Sequence, residues 1–173
     1  YTKGEELAIR YNEEIARYLK KYIPGFENAY FDRVAPFMGV RETRRLVGEY
    51  VLTEQDIFDC ARFDDSIAVS AYPVDLHHPV GGDCTLMWCP DCHDIPYRSL
   101  LPKNIDSLIV AGRCLSATHL ALASVRVMGP AMATGEAAGK AAALSVKHNV
   151  QLRDLDVAAL QAALREEGVY LRD

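Results

Sequence analysis

Two segments of this 173-residue sequence combine glycine and arginine in patterns that bind anions. Gly112 and Arg113 follow an apolar run at residues 108–111, and Arg126 precedes a helix predicted to start near residue 127 or 130. A helix N-terminus offers free N–H groups and a positive dipole to an anion, and arginine adds fixed charge. Residues 39–45 (GVRETRR) place three arginines beside one acid, which suits a carboxylate or phosphate. The pattern alone also allows an ordinary strand-to-helix connection and a solvated, ion-paired edge.

Histidine and cysteine are concentrated between residues 75 and 96. His77 and His78 can exchange protons or bind a metal, although adjacent side chains diverge and a single hydrogen bond in a loop is an equal alternative. A second cluster offers three thiols and an imidazole to zinc: Cys84, Cys89, Cys92 and His93. Its C-x-x-C-H ending also has the spacing of a haem attachment site or a redox dithiol, and unreactive loop thiols remain an alternative.

Composition excludes several classes of protein. Nineteen Lys and Arg against 24 Asp and Glu give a net charge of −5, which argues against a general nucleic-acid or anionic-membrane binder. Half of the residues are apolar, enough for a globular core. No apolar run approaches the roughly 18 residues of a membrane span. The five cysteines are an odd number, which does not suggest a secreted disulfide scaffold and favours a reducing, cytoplasmic compartment.

Local patterns predict helices and strands along the first hundred residues. Apolar residues spaced three and four apart from Leu7 to Tyr22 predict an amphipathic helix that ends before Pro24. Thr53 and Asp56 have the spacing of a capping box for a short helix at about residues 54–61. Strands are predicted at residues 46–52, 66–74 and 97–101, and an irregular loop at residues 75–96.

The last third suggests a buried parallel sheet. The apolar run at residues 108–111 has no polar alternation, which is typical of a strand buried on both faces. A helix follows, from about residue 127 or 130 to His148, and its interior Gly135 and Gly139 predict close packing of another backbone. Asp156 is the predicted N-cap of a final helix, and Gly168 its C-terminal stop. The chain offers few other strands of this type, so we expect an incomplete domain whose other strands precede Tyr1.

Several segments together resemble one protein family. Residues 108–119 (LIVAGRCLSATH), 124–128 (SVRVM) and 132–139 (MATGEAAG) closely resemble the C-terminal flavin-binding segment of a family of FAD-dependent oxidoreductases. Residues 39–52, 66–77, 95–102 and 155–168 resemble the same family in the same order. The resemblance covers roughly residues 35–170, and an ordered set of motifs is more specific than a single glycine motif.

The resemblance implies a mixed α/β or α+β fold. Residues 1–34 would be a helix and a connector, residues 35–101 part of an inserted substrate or cap region with antiparallel strands, and residues 102–173 the C-terminal part of a Rossmann-type FAD-binding domain. In such families an N-terminal G-x-G-x-x-G binds the FAD pyrophosphate, and this sequence lacks that motif. We therefore expect weak FAD binding, or none, by residues 1–173 without the missing N-terminal half of the domain.

The resemblance also implies site residues. Gly112 and Arg113 would lie near the pyrophosphate and ribityl chain, and the turn at residues 126–128 would face the pyrimidine edge of the flavin. Arg41 or Arg44 would hold an anionic substrate, and His77 would move a proton, which makes these three the predicted catalytic residues. The predicted cofactor-binding residues are Gly112, Arg113, Ser116, Ala117, Arg126, Val127 and Met128.

These inferences predict the C-terminal portion of an FAD-dependent oxidoreductase that acts on a small molecule and has the capacity to form a homo-oligomer. One alternative is a non-catalytic metal-binding or interaction module that uses Cys84, Cys89, Cys92 and His93. Another joins the two ideas, with Cys89 and Cys92 as a dithiol that exchanges electrons with the flavin.

Overall fold

A computed structural model describes residues 2–78 and 82–172. The chain divides into two compact units, Tyr1–Val40 and Arg41–Asp173. Helices and two small antiparallel sheets give the described residues an α+β architecture. None of the helices in these residues is long and apolar enough to cross a membrane.

The first unit consists of one helix and an irregular segment. Helix α1 spans Thr2–Tyr22, which confirms the helix predicted from apolar spacing. Glu5 lies in its first turn and Lys20 and Lys21 in its last, an order that favours the helix dipole. No residue of α1 is buried, so its apolar stripe remains largely exposed.

The second unit contains the hydrophobic core. Four helices contribute to it: α2 at Glu54–Phe58, α3 at His119–Val125, α4 at Met128–His148 and α5 at Val157–Glu166. Short 3-10 turns occur at Tyr97–Leu100, Gly112–Cys114 and Leu152–Asp154. The fully buried apolar side chains include Leu52, Ile57, Ile67, Ile95, Leu100, Leu115, Leu122, Leu160 and Leu164.

Four strands form two separate two-stranded antiparallel sheets in the described residues. Strand β1 pairs with β4, so that Ser70 lies opposite His93, and this sheet packs on α4. Strand β2 pairs with β3, so that His77 lies opposite Cys84, and this hairpin packs on α3. The bounds are β1 Ser66–Ser70, β2 Val74–His77, β3 Cys84–Met87 and β4 His93–Pro96.

The prediction of an irregular segment at residues 75–96 is therefore wrong. The structure has three short strands there. They were not recognised in the sequence because each has only four residues with little alternation, and prolines, glycines and cysteines surround them. Strand β4 is buried on both faces, whereas β3 is mostly exposed. Strand β1 confirms the strand predicted at residues 66–74, although it ends four residues earlier.

The strands predicted at residues 46–52 and 97–101 are also wrong. Residues 97–100 form a 3-10 turn. Residues 46–52 make only isolated bridges, from Gly48 to Pro102 and from Leu52 to Ala117. Gly48 lies so close to Ser116 that a Cβ on Gly48 would lie 2.6 Å from the Ser116 Cβ. The backbone of this segment hydrogen-bonds to residues 98–101 and 114–116, and the segment does not extend a sheet.

The apolar run at residues 108–111 does not form a strand in the described structure. A strand needs a ladder of hydrogen bonds, and here the N–H of Val110 donates to the carbonyl of Leu100 over 2.9 Å. Leu108 is 43% exposed, so the run is not buried on both faces as predicted. The parallel sheet expected from the sequence is absent from the described residues, which contain antiparallel sheets.

The structure confirms the predicted helix-end signals, and the packing predicted for the glycines of α4 has no partner among the described residues. The capping box of Thr53 and Asp56 and the N-cap Asp156 are both present. No described residue packs closely on Gly135 or Gly139, because nothing lies within 4 Å of a Cβ placed on either residue. In the described structure these glycines face open space.

Candidate functional site

A cleft of about 730 Å³ opens at the N-terminus of α4. Its lining combines positive charge with apolar surface, a combination that suits a ligand with both an anionic group and apolar surface. The charged lining residues are Arg41, Asp75, Arg113 and Arg126, and the apolar ones are Tyr72, Val127, Met128, Ala131 and Met132.

The N-terminus of α4 has no side-chain cap. Its N-cap residue, Val127, has an extended backbone, and the first turn contains no acidic residue. The first N–H groups of a helix have no acceptor within the helix, and the dipole adds partial positive charge. Because Val127 and Met128 line the cleft, this end of α4 can receive an anion or a polarised carbonyl.

Gly112 has the left-handed backbone conformation that favours glycine, with φ +67°. Its N–H donates to Oγ1 of the buried Thr134 over 3.0 Å, and that hydroxyl donates to the carbonyl of Pro130 over 2.8 Å. These hydrogen bonds hold the Gly112 turn against the first turns of α4. The next residue, Arg113, is exposed and lines the cleft.

Arg126 also lines the cleft, and its side chain is held by polar contacts. Its side chain is only 9% exposed. Its Nη2 donates to the carbonyl of Asp75 over 2.7 Å, and its Nη1 lies 3.6 Å from Oε2 of Glu42. The same carboxylate of Glu42 pairs with His119 Nδ1 at 2.8 Å and with Arg45 Nη1 at 3.1 Å. Glu42 thus anchors several basic side chains near the cleft.

Five of the predicted site residues line the cleft, and others lie elsewhere. Ser116 and Ala117 are buried in the core, where Ser116 Oγ accepts the N–H of Gly48 over 3.1 Å. Arg44, His77 and Gly112 are not part of the lining, although the turn that Gly112 begins contains Arg113, which is. Their roles in binding or catalysis stay predictions. The five residues in the lining are Arg41, Arg113, Arg126, Val127 and Met128.

Asp75, which the sequence analysis did not single out, links the cleft to the β2–β3 hairpin. Its Oδ1 lies 3.0 Å from Cys84 Sγ and 3.1 Å from His77 Nε2. The thiol donates to the carboxylate, which lowers the pKa of Asp75 and raises the pKa of Cys84. Side chains alternate along a strand, so residues 75 and 77 lie on one face. This alternation is the sequence signal that could have placed Asp75 beside His77.

The four residues of the metal-module hypothesis do not form a cluster in the described structure. Cys84 lies on the exposed hairpin beside Asp75, whereas His93 is fully buried in β4. Cys89 Sγ contacts the carbonyl of Tyr72 at 3.9 Å. Among the described residues, the group that could hold a metal ion is instead Asp75, His77 and Cys84.

His93 has no hydrogen-bond partner at either ring nitrogen. Burial, with the positive charge of Arg172 as a second cause, lowers its pKa to about 4. A buried neutral imidazole is tolerated in such a place, whereas a charged one is not. His93 is therefore a core residue whose protonation is linked to folding.

We expect the free energy of unfolding to decrease by about 2 kcal/mol between pH 7 and pH 5 because of His93. The unfolded imidazole takes up a proton near pH 6.5 and the folded one only near pH 4. Between these values the unfolded state binds more protons, so stability is lost as the pH falls. Urea unfolding of the wild-type, His93→Phe and His148→Gln proteins between pH 7 and pH 5 measures the slope of the free energy of unfolding against pH. The slope should flatten in His93→Phe and persist in His148→Gln, which alters an exposed histidine; equal slopes in all three would contradict the prediction.

Comparison with known proteins gives one family. The family model described as FAD dependent oxidoreductase matches residues 1–164. Searches of the curated proteins and of the solved structures found no match. The family match covers most of the chain and includes every residue that lines the cleft.

Proposed function

Because the chain belongs to the family of FAD dependent oxidoreductases, we propose that the cleft at the N-terminus of α4 is the flavin-facing part of its FAD site. The cofactor of the family is FAD, and the function is flavin-mediated redox chemistry. The proposal rests on one observation above all: the uncapped end of α4, the Gly112 turn and three arginines meet at one cleft.

The residues present fit the cofactor by their chemistry. FAD has an anionic pyrophosphate and an apolar ring system with a polar pyrimidine edge, and when bound it supplies hydride or electron transfer. Arg113 and the Gly112 turn would bind the pyrophosphate and the ribityl chain. The N-terminus of α4, with Val127 and Met128, would favour negative charge at the pyrimidine edge. The apolar lining would exclude water from the rings.

The remaining charge in the cleft supports an anionic substrate. Arg41 is 54% exposed and its Nη1 lies 3.9 Å from Asp75 Oδ2, so it can turn toward a small anionic substrate. Arg41 is a better candidate than Arg44 for this role, because Arg41 lines the cleft. The proposed reaction is hydride or electron transfer between the flavin and a small molecule.

We further propose that residues 102–173 form the C-terminal part of a Rossmann-type FAD domain. Two features support this arrangement: the apolar run at residues 108–111 is partly exposed, and Gly135 and Gly139 face open space. An added strand would pair with the run, and an added backbone would pack on the glycines. A pyrophosphate loop outside this sequence would complete the FAD site, since no G-x-G-x-x-G occurs within it.

The experiment compares FAD binding by the 173-residue chain and by the protein encoded by its complete reading frame. We expect the complete protein to retain FAD through gel filtration and the 173-residue chain to bind FAD weakly. Flavin absorbance and fluorescence of the protein fractions give the stoichiometry. Stoichiometric binding by the 173-residue chain would refute the proposed division of the site, and failure of both proteins to bind FAD would refute the flavin cleft.

A further inference from the structure

We propose that Asp75, His77 and Cys84 form a binding site for one zinc-like divalent cation on the β2–β3 hairpin, at the edge of the cleft. The site follows from strand geometry. Asp75 and His77 are two residues apart on β2, so their side chains lie on the same face. His77 lies directly opposite Cys84 on β3, which places the thiol on that face too.

The three ligand atoms already form a compact triangle. Asp75 Oδ1 lies 3.0 Å from Cys84 Sγ and 3.1 Å from His77 Nε2. The third side, from Sγ to Nε2, measures 3.9 Å. Tetrahedral zinc with ordinary bond lengths places such ligand atoms about 3.4 to 3.6 Å apart. Shifts of about half an ångström in the side chains would therefore bring all three atoms to a common ion.

The chemistry of the three ligands selects the kind of metal. A thiolate, an imidazole and a carboxylate suit zinc or a similar borderline ion, whereas magnesium and calcium require more oxygen ligands. The hydrogen bond from the Cys84 thiol to Asp75 places a proton where the cation would sit. Binding would release that proton to solvent, and the cation would then bond to sulfur.

Charge and access also allow the site. The thiolate and the carboxylate would neutralise a divalent cation, with His77 as a neutral ligand. The positive charge of Arg41 lies 3.9 Å from Asp75 Oδ2, but its side chain is more than half exposed and can turn away. His77 and Cys84 are exposed, so an ion can enter from solvent.

Three protein ligands leave a fourth position for water, the arrangement of catalytic zinc sites. Asp75 also lines the cleft, so this water would face the space that we assign to the substrate. Zinc lowers the pKa of bound water to about 7, which would make the water a proton donor or acceptor beside the cleft. His77 would then position the metal and would not itself carry the proton. This site does not depend on flavin binding.

The test is a zinc titration of the EDTA-treated protein, with cobalt as a spectroscopic probe. We expect one equivalent of zinc, and cobalt absorption typical of a thiolate ligand in tetrahedral geometry. Cys84→Ser and His77→Gln should each weaken zinc binding by more than about 100-fold, the upper end of the loss for an outer-shell partner. Cys89→Ser and Cys92→Ser are matched controls that change the same group elsewhere, and they should bind zinc normally.

Three results would overturn the proposal: no zinc binding by the wild-type protein, equal binding of zinc and magnesium, or loss of binding in a control variant instead of Cys84→Ser. A second measurement needs no substitution and so does not depend on a variant folding. Zinc should protect Cys84 from alkylation in the wild-type protein and leave the alkylation of Cys114, another exposed thiol, unchanged. Equal labelling of Cys84 with and without zinc would also refute the site.

Discussion

Replacing Arg172 with methionine is expected to lower the free energy of unfolding by about 3–5 kcal/mol, the usual cost of removing one partner of a buried ion pair and leaving the other charge unpaired. The side chain of Arg172 is 8% exposed and that of its partner Asp94 4%. Its Nε donates to Asp94 Oδ1 over 2.7 Å. Its Nη atoms donate to the carbonyl oxygens of Cys92, Cys60 and Ala61.

The large effect follows from the buried groups that would lose a hydrogen bond. Methionine fills part of the volume but cannot donate, so a buried carboxylate and three carbonyl groups each lose one donor. Of the carbonyls, that of Ala61 keeps the backbone N–H of Asp94. Asp94 Oδ2 would still accept the N–H of Phe63, which compensates only part of the loss. The C-terminal segment would also lose its polar connection to β4 and to residues 60–61.

Chemical unfolding monitored by circular dichroism measures the change. Arg165→Met is the control, because Arg165 is exposed on α5 and its substitution should change the free energy of unfolding by less than about 0.5 kcal/mol. Combining Arg172→Met with Asp94→Asn should recover part of the loss, because no unpaired charge then remains. A loss below about 1 kcal/mol for Arg172→Met would mean that the ion pair is not buried in solution.

This ion pair illustrates what the sequence could not predict. Arg172 and Asp94 are 78 residues apart, and no local pattern distinguishes them from solvated charges. The capping box at Thr53 and the N-cap Asp156 were predictable because the residues that form each signal lie within three positions of one another. Long-range pairing of charged side chains depends on the assembled core, so it appears only in the structure.

The same distinction holds for the candidate site. The family motifs identified Arg113, Arg126 and the start of α4, and the structure brings all three to one cleft. The hydrogen bond from Arg126 to Asp75, 51 residues away, was beyond sequence reasoning. The hairpin that joins Asp75, His77 and Cys84 was also missed, because its short strands were interpreted as a loop. The sequence thus predicted residues that line the cleft better than the contacts that orient them.

We expect Arg113→Gln to weaken FAD binding by the complete protein by about 100-fold, or about 2.7 kcal/mol. The proposed reason is a charge-assisted hydrogen bond from the guanidinium to the FAD pyrophosphate, a class of interaction that contributes about 1.5–3 kcal/mol. Glutamine keeps a polar amide, but its side chain is two bonds shorter and has no charge. Arg113 is exposed, so the substitution should leave the free energy of unfolding within about 0.5 kcal/mol of the wild-type value.

A fluorescence titration with FAD measures the affinity of each variant. Arg113→Lys should recover part of the loss, because lysine keeps the charge but not the paired donors of the guanidinium. The matched control is Arg165→Gln, an exposed arginine on α5 that does not line the cleft, and it should bind FAD like the wild type. Salt should reduce the difference in FAD affinity between the wild type and Arg113→Gln, since screening weakens the attraction that only the wild type has.

Two results would show that the pyrophosphate does not lie at Arg113. In the first, Arg113→Gln binds FAD as tightly as the wild type. In the second, Arg113→Gln and the control Arg165→Gln lose affinity equally. The anion-binding role would then pass to Arg41 and Arg126, the other arginines of the cleft.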